Sequence, residues 1–435
     1  CSTHITRGNP ADSQYCSFGP PKRAAQLARS NMMRSALRRG VLRGAPRTLT
    51  LSRATGGPRT LTPRRAYRPP STTFTRTPPA RRSLSLALPK AAAPPAHDKA
   101  VAYWLFGCGG LVAGMVSVGG LTRLTRSGLS MTDWKLQGGL PPSNRAEWER
   151  EFARYKLYPE WQQRQSMTLD EFKYIYAWEY GHRMLGRVVG VAFGLPLAYF
   201  WSKGRLTPWL KPRALGLLGL GGCQGLIGWW MVRSGLNTDL LPERQKQDVR
   251  VSPYRLATHL TMAFVTYSGL IWCGLETLGG KKAVGEGLRH AAKLTPIARG
   301  AACLTLVTAI SGAFVAGNDA GMAFNVWPYM VDDRDVGGDA SFVPPDLLAL
   351  QPLWRNMFEN TACVQFDHRM LAYATALSGT SLFALARSGA WHALPIVTRR
   401  FVAAGALAVV GQASLGVATL LYVVPIELAA AHQLG

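Results

Sequence analysis

Four histidines of this 435-residue chain, His182, His259, His368 and His432, each lie near the start of an apolar stretch, and the two halves of the chain repeat this placement. An imidazole inside a membrane helix is costly unless something binds it, so four at one apparent depth point to buried metal or an iron porphyrin. Within each half, two histidines on different helices can face each other across a bundle, as the two axial positions of a six-coordinate heme iron require. Taken singly, each reads better as a capped or snorkelling interfacial residue; the set of four favours ligation. His290 and His392 fall in basic loops and His4 and His97 in the leader, and they receive no role.

Glu179 stands three residues before His182, on the same helix face, whereas the second half has Gln365 at that place. Two equal bis-histidine sites would suit electron transfer, but a carboxylate in only one points to chemistry there. The competing reading is an interfacial glutamate that caps the helix or pairs with a nearby arginine. Arg183 and Arg369 directly follow the helix-start histidines and could hold heme propionates by bidentate contacts, or snorkel to lipid headgroups. Arg123 and Arg126 carry the same two readings, and the repeat replaces them with Ala316 and Asp319. Asn318 and Asp319 look like a turn around a polar cavity.

The elements that must position these residues are apolar windows of roughly 18 to 22 residues, each able to cross a hydrocarbon core of about 30 Å. The mean hydropathy of +0.02 conceals them, because polar segments dilute the spans. Helices are predicted near residues 101–121, 179–201, 214–232, 256–275, 300–317, 368–388 and 401–424, with an eighth from 426. Ten residues of that last helix reach only about 15 Å, so the sequence is expected to be cut within it.

Gly119, Gly128 and Trp134 match Gly312, Gly321 and Trp327 at one offset, and His182-Arg183-Met184-Leu185 matches His368-Arg369-Met370-Leu371 letter for letter. Gln224 and Gly228 match Gln412 and Gly416. The expected fold is an all-α polytopic membrane protein of eight transmembrane helices, arranged as two parallel-repeat four-helix bundles with the last helix truncated. The expected division is a presequence over residues 1–95, an N-terminal four-helix half over 96–280 and a C-terminal half over 281–435.

Residues 1–95 hold 18 Lys and Arg against one acidic residue, Asp12, in Ser-, Thr-, Pro- and Ala-rich sequence, which is the composition of a transit peptide. Met33 is a plausible genuine start. Scattered charge without interleaved aromatics argues against nucleic-acid binding. Basic residues at 203–213, 281–299 and 387–400 place those loops on the positive side, the matrix if the leader is mitochondrial. The acidic loop 331–360 belongs on the opposite face. Cys108, Cys223, Cys273 and Cys303 sit in apolar spans, and no CxxC or CxxCH occurs. The connection 122–178 is expected to be partly helical, with capping patterns at Asn144/Glu147 and Thr168/Glu171; its aromatics read mostly as an interfacial belt.

The segments GGLTRLTRSGLSMTDW, EFKYIYAWEYGHRMLGRVVG, SGAFVAGNDAGMAFNVWP, RNMFENTACVQFDHRMLAY and LAAAHQ resemble those of the mitochondrial heme A synthases, the cytochrome oxidase assembly family, from about residue 100 onward. That resemblance implies an inner-membrane enzyme oxidising a methyl group of heme o to the formyl group of heme A. It implies His182 and His259 as ligands of the substrate heme, Glu179 as catalytic carboxylate, and a heme b cofactor between His368 and His432. It also implies a ferredoxin, heme O synthase and oxidase assembly factors as partners, and a homo-oligomer is a further expectation. Some bacterial relatives carry a cysteine pair in the first outer loop, and residues 122–178 have no cysteine. The residues alone leave two rivals: a diheme b electron-transfer cytochrome and a transporter built from repeats.

Overall fold

The computed structural model describes residues 98–135, 137–237, 249–279, 285–332 and 340–435, so the expected presequence, Lys281 and Lys282, and Asp333, Asp335 and Asp339 of the acidic loop lie outside the described residues. The described residues are predominantly helical: α1 Lys99–Leu124, α2 Arg145–Tyr155, α3 Leu169–Ser202, α4 Leu210–Leu236, α5 Pro253–Leu278, α6 Gly285–Gly317, α7 Thr361–Arg387, α8 Ile396–Leu421 and α9 Ile426–Leu434, with loops and short helical turns between them.

Six of these, α1, α3, α4, α5, α6 and α8, are long and apolar enough to cross a membrane, and the protein is a multi-pass membrane protein. Their apolar side chains are largely exposed, among them Leu195, Leu226, Val307 and Leu407, as expected where lipid rather than water surrounds a helix. The sixth expected span, α7, is 27 residues long but carries Gln365, Asp367, His368 and Arg369 within its first three turns, which lowers its hydropathy. Among the described residues, α9 has nine residues and ends one short of Gly435.

Several helices begin before their apolar stretch. α3 starts at a full Thr168/Glu171 capping box, so His182 lies thirteen residues into it rather than near its start. α6 likewise gains a basic extension through Arg289, Lys293 and Arg299. A polar amphipathic turn can continue a helix beyond the hydrocarbon, and an apolar-window reading does not register it.

α1 packs on α3 and α5, and α4 on α5; α6 packs on α7, α7 on α8, and α8 on α9. The contacts joining the two groups are α5 with α6 and α9 with α1, which exchange under the sequence repeat. The described residues all fall within one compact unit. At the end remote from the histidines, Val101, Leu105, Phe193, Leu197, Leu210 and Cys273 form a dry core.

Most of the aromatics expected to form an interfacial belt in the connection 122–178 instead pack together. Phe152, Tyr155, Phe172, Ile175 and Tyr176 are buried together, flanked by Trp148 and Trp161, so α2 and the first turns of α3 close a small aromatic core of their own. Tyr155 and Phe172 are 0 % exposed. The Asn144 side chain accepts from Glu147 N, as its spacing suggested.

Candidate metal centre

The four histidines gather at one end of the helices. The C-terminal turns of α1 and α6 meet there, because Arg123 donates to the Ala316 carbonyl and to Asp319. Each imidazole lies against a glycine of a neighbouring helix: a Cβ at Gly119 would stand 3.0 Å from His182 Nε2, and at Gly228, Gly312 and Gly416 it would stand 3.2, 3.1 and 2.9 Å from Cε1 of His259, His368 and His432. Only a residue lacking Cβ lets the helices close to this distance without displacing a ring. Gln224 and Gln412, also repeat partners, donate to the backbone carbonyls of His259 and His432.

In the C-terminal group the rings of His368 and His432 are 6.4 Å apart between centroids, with planes at 81°. Two nitrogen–metal bonds of about 2.0 Å, plus about 1.1 Å from each nitrogen to its ring centre, give about 6.2 Å. The Ser311 hydroxyl lies 2.7 Å from both the Thr308 carbonyl and His368 Nδ1; with its proton on the carbonyl it accepts the ring N–H, the tautomer that leaves Nε2 a free lone pair. The sequence reading missed Ser311; its repeat mate is Val118, so repetition gave no signal. The Nδ1 atoms of His259 and His432 are buried without a hydrogen bond. In the N-terminal group His182 and His259 lie within electrostatic range of each other.

Among the described residues no group of three or more His, Cys, Asp or Glu side chains converges as a metal site. A porphyrin carries nitrogen donors of its own, so a pair of imidazoles is the set it would need from the protein. The spacing and the hydroxyl able to orient His368 therefore fit an iron porphyrin at the second pair.

Glu179 is 2 % exposed, and its carboxylate accepts from Ser130 Oγ and Met131 N at 2.7 Å and from Arg183. Arg183 also donates to the carbonyls of Met131 and Asp133, both at 2.9 Å. The Glu179–Arg183 pair thus ties the loop after α1 over the histidine end. The second half repeats this with neutral chemistry: Gln365 donates to the Ala320 and Ala323 carbonyls, and Arg369 binds Gln365 and the carbonyls of Phe324, Val326 and Tyr329. Arg183 additionally lines a cavity of about 300 Å³ with Thr132, Asp133, Trp134, Trp229 and Arg233.

Arg123 and Arg126 are not alike. Arg123 bridges to the second half, where Asp319 also meets Arg250 at 2.9 Å, whereas Arg126 is exposed at φ 50°, a value shared by its repeat mate Asp319. Asn318 closes the same turn by donating to the carbonyls of Phe314 and Phe358.

Residues 102–435 match the family model described as cytochrome oxidase assembly protein. The chain belongs to this family. It is 46 % identical over 345 residues to Heme A synthase COX15 of Arabidopsis thaliana, covering 78 % of this chain and 72 % of that protein. It is 47 % identical over 357 residues to Heme A synthase of Rhodospirillum centenum, covering 81 % and 89 %. It is also 41 % identical over 361 residues to a heme A synthase–mitochondrial ferredoxin fusion protein of Schizosaccharomyces pombe, covering 78 % and 58 %.

Proposed function

We propose that the chain is a heme A synthase of the mitochondrial inner membrane, oxidising a methyl group of heme o to a formyl group. The observation that carries this is one end of the molecule holding two histidine pairs, with a buried carboxylate beside only one of them. The family's named relatives support the reaction and weigh against the electron-transfer cytochrome and the transporter. Eight spans in two repeats agree with the packing, in which α5–α6 and α9–α1 are equivalent contacts.

His182 and His259 hold the substrate heme, and Arg183, with Arg233 across the cavity, meets its propionates. Glu179 is fixed by three donors, so its oxygen atoms do not reorganise during reaction; its charge stabilises positive charge developing on the methyl carbon. His368 and His432, with Ser311 against Nδ1 of His368 and Arg369 holding the carbonyls of 324–329, fit a heme b, which supplies one-electron chemistry when bound. The ferredoxin fused to the Schizosaccharomyces pombe relative supports a ferredoxin partner.

Full-length protein supplied with heme o is expected to yield heme A on porphyrin extraction, and the Glu179→Gln variant to lose at least about tenfold in yield while retaining its Soret band. Heme o recovered unchanged from wild-type protein that binds it would end the proposal.

A further inference from the structure

Glu160, on the helical turn Pro159–Gln163 between α2 and α3, is 6 % exposed. A carboxyl that deep ordinarily has a full set of partners. Glu160 has one distant cation, Arg164 Nε at 4.0 Å from Oε1, and its Oε2 makes no hydrogen bond. The buried Tyr155 hydroxyl of α2 is near enough to both Glu160 and Arg164 to interact with them. The remaining charges facing this carboxyl are Arg126, from the turn after α1, and Glu179, from α3. Burial, opposed by Arg164 and reinforced by Glu179, pushes Glu160 up to about 7. An aromatic core gains nothing from such a group that a well-packed apolar side chain would not supply at lower cost.

We propose that Glu160 is a proton-carrying residue of the N-terminal half, exchanging protons between the surroundings of Glu179 and the outer aqueous face while the substrate is oxidised. The inference rests on the reading of Glu179 as the carboxylate beside the reacting heme. The step moves a proton and no electron. An Oε2 lone pair takes up the proton to form an O–H bond, and that bond breaks to return it to solvent. Electrons taken from the substrate leave separately, to a one-electron carrier.

The test uses full-length protein supplied with heme o, with the rate of heme A formation and the Soret absorbance followed from about pH 5.5 to 8.5. Wild type is expected to show a transition near about pH 7. Glu160→Gln is expected to lose that transition and slow at least about tenfold at constant heme content, and Glu160→Asp to restore it at a shifted pH. In the infrared, a protonated-carboxyl band should vanish as the wild-type protein is titrated through about pH 7 and be missing from Glu160→Gln. A wild-type pH profile in Glu160→Gln overturns the proposal, as does heme loss in parallel with activity in both variants, which would make Glu160 structural. Should Glu179→Gln convert heme o normally while Glu160→Gln loses its transition, the Glu179 reading fails and the proton role of Glu160 stands.

Discussion

Ser311 shows how little separates a ligand from an ordinary buried histidine. With its proton on the Thr308 carbonyl, its hydroxyl accepts from Nδ1 of His368 and leaves Nε2 as the nitrogen able to ligate. Ser311→Ala is expected to weaken heme binding at the second pair about tenfold, the usual cost of removing such an orienting partner, as measured by heme titration of purified protein. Unchanged affinity would mean that packing against Gly312 alone orients the ring. The arginines have a different lesson. Arg369 is buried among loop carbonyls, so of its two readings snorkelling is set aside, and its first task is to hold backbone.

At the scale of elements, the segment α2 to α3 is a cap with its own aromatic core, built around Phe152, Tyr155 and Phe172. Glu160 makes the stability of that cap depend on pH. Between the ordinary value of 4.5 and its folded value of about 7 the folded cap binds a proton that the unfolded chain has released, so stability falls as pH rises through this window and stays low above it. The difference amounts to at most roughly 3 kcal/mol. Amide exchange over residues 145–176, corrected for its intrinsic pH dependence, should therefore lose protection between acid and alkaline conditions in wild type and be flat in Glu160→Gln. The same slope in both would assign the pH dependence to another group.

Across the whole molecule, the two groups of helices meet at a shared ionic clamp. Arg123 of α1 reaches Ala316, its own repeat mate, and Asp319, the mate of Arg126, while Arg250 holds the second oxygen of Asp319. One half has thus kept a cation and the other an anion where the repeat brings their helix ends together. Arg123→Gln is expected to destabilise the folded protein by about 2 kcal/mol, discounted for its partial exposure, and to lower the thermal midpoint by several degrees. A midpoint equal to wild type would show that the clamp is dispensable.

The amino-acid sequence by itself determined the helical class, the repeat and the four histidines, because apolar windows, matched glycines and identical His-Arg-Met-Leu segments are local patterns that need no contacts to be read. Glu179 and Gln365 were visible as an asymmetry for the same reason. Only the tertiary structure decided what those side chains hold: that Glu179 and Arg183 bind one loop while Gln365 and Arg369 bind another, that the aromatics of 145–180 form a core rather than a belt, and that Arg123 joins the halves. Hydrogen bonds between residues some 40 to 190 positions apart leave no periodicity in a chain, and a serine that sets a tautomer resembles any other serine until a ring is placed against it.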